Sequence, residues 1–273
     1  MEQHRLAIQL TWQGALIYGA MLAYLIAFVL FVAKERAAGR GAYAAGFLLA
    51  LAAFIYRWDY ARHVPLQSMF EVFLCLGMLV YPLSVLYRRA FDIGGEAADA
   101  LIGFIILFPA GFVFPTEPQH LPPPLRYWLF IPHVAAYMLA YVIMFKASTQ
   151  AVGHLLTDPA RKPEQSRRYE QASYSVVRLG FPLLTLGLIL GAVWADQGWG
   201  RYWGWDPKEL WSLTTWLVYL GYLHFRHLYG TRKPLVNSTL VLGGAVCVVL
   251  TLVWVNLSTA FAGGLHSYAA PPG

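Results

Sequence analysis

The chain carries eight histidines, and three of them stand where an imidazole can do chemistry. His133 lies in FIPHVAAYMLAYV, followed by Tyr137 and Tyr141 at i+4 and i+8, so the three share one helix face. His224 lies in YLGYLHFRH and His266 in FAGGLHSYA. Each sits in or beside a long apolar run, where an ionisable side chain costs free energy unless it has a partner or a task. Neutral imidazole is a good ligand for iron, including haem iron. The plain alternative for each is a helix cap or a hydrogen bond to a backbone carbonyl. His4, His63, His120, His154 and His227 fall in tails, loops or near basic helix ends, where a solvated or interfacial imidazole is the simple reading.

The second feature is the stretch Trp194–Trp211, WADQGWGRYWGWDPKELW. It holds five of the ten tryptophans, with Asp196, Arg201, Asp206, Lys208 and Glu209, in a chain that is only 12% charged. Two readings fit. Tryptophans form belts at membrane interfaces. Flat indole faces at this density also suit a large, flat, apolar ligand with a charged edge. A porphyrin is such a ligand: its ring can lie on aromatic faces while Arg201 or Lys208 meets its carboxylates. Composition leaves both readings open. The coincidence of two histidines, His133 and His266, with an aromatic, Arg-bearing loop favours haem as the ligand. Asp196, Asp206 and Glu209 either orient the loop by pairing with Arg201 and Lys208 or form an interfacial cluster that only shapes it.

The elements that must position these residues are membrane spans. Hydrophobic residues make up 58% of the chain, which excludes an ordinary soluble domain. Eight apolar runs lie near 13–33, 42–57, 69–87, 98–114, 128–150, 176–196, 208–228 and 237–258. The expectation is an all-α, polytopic integral membrane protein with about eight transmembrane helices. Residues 1–273 read as one membrane domain, with 194–211 as an external tryptophan-rich loop within it. The run at 98–114 is the weakest, because Pro109 and Gly111 interrupt it. The first run is long enough to span and lacks a small-residue cleavage site, so no cleavable signal is expected. Cys75 and Cys247 lie inside apolar runs and form no CxxC pair, which reads as two buried thiols.

The net charge of +6 does not require a nucleic acid, and none is expected as a partner. Of the 20 lysines and arginines, 13 fall in or at the edges of the loops after runs one, three, five and seven, and six in or at the edges of those on the opposite side. The positive-inside rule then puts both termini, and the tryptophan-rich loop, outside. His224 lies about fifteen residues into the seventh run, ~22 Å deep, toward the cytoplasmic leaflet.

These residues carry a resemblance. WGRYWGWDPKELWSLTTW resembles the tryptophan-rich WWD signature of the haem-handling protein family. WGWDPKE, followed by YLHFR and GLHSY, is similar to the CcsA/ResC type, the system II branch of cytochrome c biogenesis. PLQSMFE, residues 65–71, resembles the family's Pro–Leu–x4–Glu segment. Leu210 stands where the family pattern has Thr, and the ResB-type domain fused to some relatives is not seen in these residues. The resemblance implies that the chain, with a ResB/CcsB partner, moves haem b across the cell's inner membrane. There the haem vinyl groups are joined to the CxxCH thiols of apocytochrome c.

The same resemblance implies His133 and His266 as external haem ligands beside the loop, which sits on the periplasmic face. It implies Trp199, Trp203, Trp205, Arg201 and Asp206 as loop residues that bind haem, and His224 as the ligand of an inner haem site whose mate comes from the partner. His227 cannot be that mate, since i+3 on one helix does not place two imidazoles on opposite faces of an iron. No residue of this chain is expected to be a catalytic nucleophile. Two rivals remain: a haem exporter or chaperone without synthase activity, and a b-type electron-transfer cytochrome. The last expects facing histidine pairs inside one bundle, and His224 has no such mate in the sequence.

Overall fold

The computed structural model describes residues 10–117 and 123–257. His4, His120 and His266 therefore lie outside the described residues. Helices make up the described fold, and no strand occurs among the described residues. The long ones are α1 (Trp12–Val32), α2 (Arg36–Ala61), α3 (Met69–Phe91), α4 (Glu96–Phe112), α5 (Phe130–Leu156), α6 (Pro163–Trp199), α7 (Pro207–Tyr229) and α8 (Pro234–Val249). A 3-10 turn, Pro123–Arg126, precedes α5, and α8 continues through a π-helical turn, Leu250–Trp254.

Each of the eight apolar runs meets one long helix. Six of the eight, α1, α2, α3, α5, α6 and α8 with its π turn, are long and apolar enough to cross a membrane. The chain is a polytopic membrane protein. The two helices outside that set have visible reasons. α4 is only 17 residues long and ends three residues after Pro109, whose ring removes a backbone donor. α7 carries Lys208 and Glu209 at its start and His224, Arg226 and His227 near its end.

The helices form two compact units, the first ending at Leu121 and the second beginning at Pro122. In the first, Tyr24 of α1 lies between Gly46 of α2 and Gly103 of α4, where a Cβ would collide with its ring. Its hydroxyl donates to the Gly77 carbonyl of α3 at 3.1 Å. One tyrosine thus touches three neighbouring helices.

The Pro–Leu–x4–Glu segment has a definite physical task here. Ser68 and Glu71 form a reciprocal cap on α3: the Glu71 amide donates to Ser68 Oγ, and the Ser68 amide donates to Glu71 Oε2. The Gln67 amide donates to the same oxygen at 2.9 Å. The other oxygen, Oε1, receives Nε of Arg57 at 2.8 Å, with both side chains buried. Arg57 also donates to the Thr116 carbonyl and lies over the Phe70 ring. The carboxylate therefore ties the end of α2 to the start of α3.

In the second unit, small residues let α5 and α6 approach closely. A Cβ at Gly180 would meet Ile143 and one at Gly187 would meet the Tyr137 ring at 3.0 Å. At the far end, Glu170 of α6 takes Arg226 of α7 and Asn237 of α8.

Replacing Glu71 by Ala leaves Arg57 charged, buried and short of its carboxylate, which costs roughly 3 kcal/mol. We expect a clear fall in the thermal unfolding midpoint of the purified protein for Glu71→Ala. An unchanged midpoint would show that the pair does not hold these two helices.

Candidate functional site

The tryptophan-rich stretch is only partly a loop. α6 runs to Trp199, so residues 194–199 are helical. Gly200, at φ 71°, ends the helix in the left-handed region, and its amide donates to the Asp196 carbonyl. α7 starts at Pro207, leaving residues 200–206 as the connection. That connection is held by a second reciprocal cap. The Glu209 amide donates to Asp206 Oδ1 at 2.8 Å. Glu209 Oε2 accepts from the amides of Asp206 at 3.2 Å and Gly204 at 2.7 Å. Asp206 and Glu209 thus shape the turn by binding backbone donors, and Glu209 is not turned onto Arg201. Lys208 donates from Nζ to Asn256 Oδ1 at 3.1 Å, just beyond the π turn. Trp211 packs edge-on against Trp254 of that turn, 6.0 Å between ring centroids. Such π turns occur often beside functional sites.

His133 is the best-defined candidate ligand. Its Nδ1 lies 2.8 Å from the Gly187 carbonyl of α6. A carbonyl only accepts, so Nδ1 carries the proton and Nε2 presents a lone pair. The ring is stacked on Trp194, with centroids 5.6 Å apart and 16° between planes. Tyr137 meets it edge-on at 5.2 Å, and Tyr141 continues the row at 5.4 Å from Tyr137, as the shared-face spacing predicts. Gly191 completes the seat: a Cβ there would stand 2.5 Å from Cε1 of the imidazole.

The five tryptophans divide by role. Trp194 is buried, its indole donates to the Pro124 carbonyl at 2.9 Å, and it packs with Leu129 and Phe130. It is the wall behind His133. Trp199 stands edge-on to Trp194 at 4.8 Å and is half-buried. Trp203 and Trp205 meet edge-on at 5.8 Å in the connection. Trp205 is 65% exposed and takes a positive φ of 59°. The Trp203 indole nitrogen is buried without a hydrogen-bond partner, an orphaned donor in the connection. The Arg201 guanidinium folds over Gly204, where a Cβ would stand 3.0 Å from it. This donor set, two tryptophans, a guanidinium and an indole N–H, fits a flat ligand with carboxylates.

His224 sits apart, near the opposite end of α7. Its Nδ1 bonds the Leu220 carbonyl of its own helix at 2.9 Å, and the residue is exposed. The exposed positions Leu210, Thr214, Leu217, Gly221, His224 and Leu228 recur every three or four residues and so form one stripe on α7. The structure brings His133 together with the tryptophan end and keeps His224 away from it. Among the described residues no group of three or more His, Cys, Asp or Glu could hold a metal ion by itself. Single imidazoles suit a porphyrin iron, which brings four ligands of its own.

Several supporting residues carry no obvious chemistry in the sequence: Gly187, Gly191, Pro124 and Trp194. The signal that points to the first two is the spacing of small residues, Gly180, Gly187 and Gly191, along one run.

Known proteins share this sequence and fold. The model of the family described as cytochrome C assembly protein matches residues 42–262. The cytochrome c biogenesis protein CcsA of Synechococcus sp. (strain WH7803) is 30% identical over 267 residues, covering 81% of this chain and 82% of that protein. CcsA of Chlamydomonas reinhardtii is 33% identical over 241 residues, covering 81% of this chain and 65% of that protein. Among solved structures, the cytochrome c haem lyase CcmF shares the fold, with a TM-score of 0.71 at 19% identity. The likeness covers 92% of this chain and 48% of CcmF, so the chain spans about half the length of that protein.

Gly191→Ala should displace the His133 ring without touching the tryptophan connection. The expected result is normal insertion with cytochrome c maturation reduced on the order of tenfold or more. Gly243→Ala, whose Cβ meets nothing within 4 Å, should leave maturation unchanged. Normal maturation in the Gly191 variant would show that the seat does not matter.

Proposed function

The chain belongs to the cytochrome c assembly protein family and works in cytochrome c biogenesis, handling haem, and we propose that it is the haem-presenting subunit of a cytochrome c synthase. Its cargo is haem b. Its membrane is the cell's inner, cytoplasmic membrane, with the tryptophan connection on the outer, periplasmic face, an orientation supported by the lysine and arginine bias of the loops. Its partner is a ResB/CcsB-type membrane protein, and its substrate is the CxxCH segment of an apocytochrome c.

The observation that carries this reading is the hydrogen bond from His133 Nδ1 to the Gly187 carbonyl. It fixes the tautomer and the ring orientation, and a hydrogen bond of this kind makes the other ring nitrogen a stronger iron ligand. His133 and His266 then hold the iron from its two faces. Trp205 lies flat against the porphyrin and Trp203, nearly perpendicular to Trp205, meets the porphyrin by its edge, with Trp199 behind them, while Arg201 and the Trp203 indole N–H meet the carboxylates. Asp206 acts by holding the turn. With both axial positions filled by imidazole, oxygen has no open site on the iron.

The substrate histidine replaces one imidazole. Each substrate thiol adds across one vinyl group: a carbon–sulfur bond forms, the thiol proton goes to the other vinyl carbon, and no electrons are transferred overall. No side chain of this chain acts as the nucleophile, because the thiols are supplied by the substrate. The chain contributes orientation and exclusion of side reactions. His224 takes haem at the cytoplasmic end, with the second ligand from the partner, and haem passes from there to the outer site.

The test is co-expression with a ResB-type partner and a CxxCH reporter in cells lacking their own pathway, reading covalent haem on the reporter. Attachment should be abolished by His133→Ala or His266→Ala and partly restored by added imidazole. His224→Ala should instead lower the haem found on the chain itself. Haem export without attachment, even with the partner present, would give the exporter reading. Normal attachment in His133→Ala would remove that residue from the mechanism.

A further inference from the structure

At the end of the second unit opposite the tryptophans, two guanidinium groups lie over one tyrosine ring. Arg226 of α7 stands 4.8 Å and Arg178 of α6 5.5 Å from the centroid of Tyr174. Arg226 is neutralised there. Its Nε and Nη2 reach the buried Glu170 carboxylate at 2.8 and 3.0 Å. Glu170 also accepts from Asn237 Nδ2 at 2.8 Å. One carboxylate cannot balance two guanidiniums, and this one is committed to Arg226. Arg178 is exposed and forms no ion pair among the described residues. It lies between Val177 and Leu179 at the start of the apolar part of α6. A guanidinium at that level costs free energy unless it meets an anion.

Arg178 and His224 share a flank. On α7, Trp216 faces α6, donating to Thr185 at 2.9 Å and stacking on Phe181, while Thr215 faces α8 through Thr251. At about 100° per residue, His224 lies beyond the α6-facing line, on the side away from α8. On α6, Phe181 and Thr185 face α7, and Gly180 and Gly187 face α5. By the same rotation Arg178 lies beyond the α7-facing line, on the side away from α5. Both are therefore on the outward flank of the α6–α7 pair. Their levels agree as well. Arg178 leans over Tyr174, whose ring is 6.5 Å from that of Tyr222, two residues before His224.

We propose that Arg178 binds a carboxylate of the haem held at His224, setting the porphyrin's direction on this flank. The iron meets the imidazole, the apolar ring lies along the α6–α7 flank, and a propionate points to the guanidinium. Arg178 then selects a porphyrin with a free carboxylate over one without. The proposal rests on His224 being an iron ligand, and the experiment separates the two claims.

The measurement is titration of the full chain in phosphatidylcholine nanodiscs with haemin and with haemin dimethyl ester, whose carboxylates are blocked. It is done in a His133→Ala, His266→Ala background, which removes both outer-site imidazoles. Haemin should bind about tenfold tighter than the ester, the scale of a charge-assisted hydrogen bond. Arg178→Gln should abolish that preference and leave ester binding unchanged, so the ester also reports that the chain is folded. Should the Gln variant fail to insert, Arg178→Met decides the matter in the same way. His224→Ala should weaken both ligands equally, and no effect of His224→Ala on either would refute the iron-ligand reading and, with it, a haem placed between His224 and Arg178, whereas an Arg178 failure leaves the iron-ligand reading standing. A haemin preference that survives in the Arg178 variants overturns the proposal. So does a change confined to retention of added phosphatidylglycerol, which would make Arg178 a lipid anchor.

Discussion

The hydrogen bond between His133 and the Gly187 carbonyl is the contact around which the tryptophan end of the second unit is built. An imidazole inside a membrane helix has two nitrogens to commit. One is spent on α6, which requires α5 and α6 to come close. Glycines at 187 and 191 make that possible, since a side chain at either would strike Tyr137 or His133. Trp194 then fills the space behind the ring and is itself anchored to Pro124. The ring is thereby held in one orientation at this end of the unit.

A similar economy governs the irregular backbone. Helix ends at membrane level leave amide donors that lipid cannot satisfy. Each unit meets the problem with a glutamate three residues past the cap: Glu71 in the first, Glu209 in the second. Glu71 takes two preceding amides and Arg57 as well, while Glu209 takes the amides of Gly204 and Asp206. The connection between α6 and α7 is therefore held in place before any ligand arrives. Trp203 and Trp205 are presented on this held segment, Trp205 in a left-handed conformation that the cap helps to maintain. Fixed placement of this kind lets a site orient a large flat ligand at low entropic cost.

Much of this was legible in the residues. The eight apolar runs meet eight helices, and the i, i+4, i+8 spacing of His133, Tyr137 and Tyr141 meets a continuous aromatic row. The D-x-x-E pattern at Asp206–Glu209 is a capping signature readable from spacing alone, which makes those carboxylates binders of backbone. Other features depend on contacts far apart in the chain. Trp194 and Trp203 look alike in the sequence, yet one is a buried wall and the other part of the capped connection, because α6 continues to Trp199. Arg57 counts as one more cation on the outer side by position, yet it is fully buried on Glu71, fourteen residues later. No local pattern announces such pairs, since they depend on how neighbouring helices pack. Span number is partly obscured for a related reason: α7 is too polar to qualify by composition.

Everything proposed for the tryptophan end turns on ligation of the haem iron by His133. The most direct measurement is the absorption spectrum of the purified, haem-loaded chain, oxidised and reduced, for wild type and for His133→Gly. Ligation by His133 predicts a six-coordinate, low-spin component that is lost in His133→Gly and returns when free imidazole fills the vacated position. The same component persisting in His133→Gly without imidazole would contradict it.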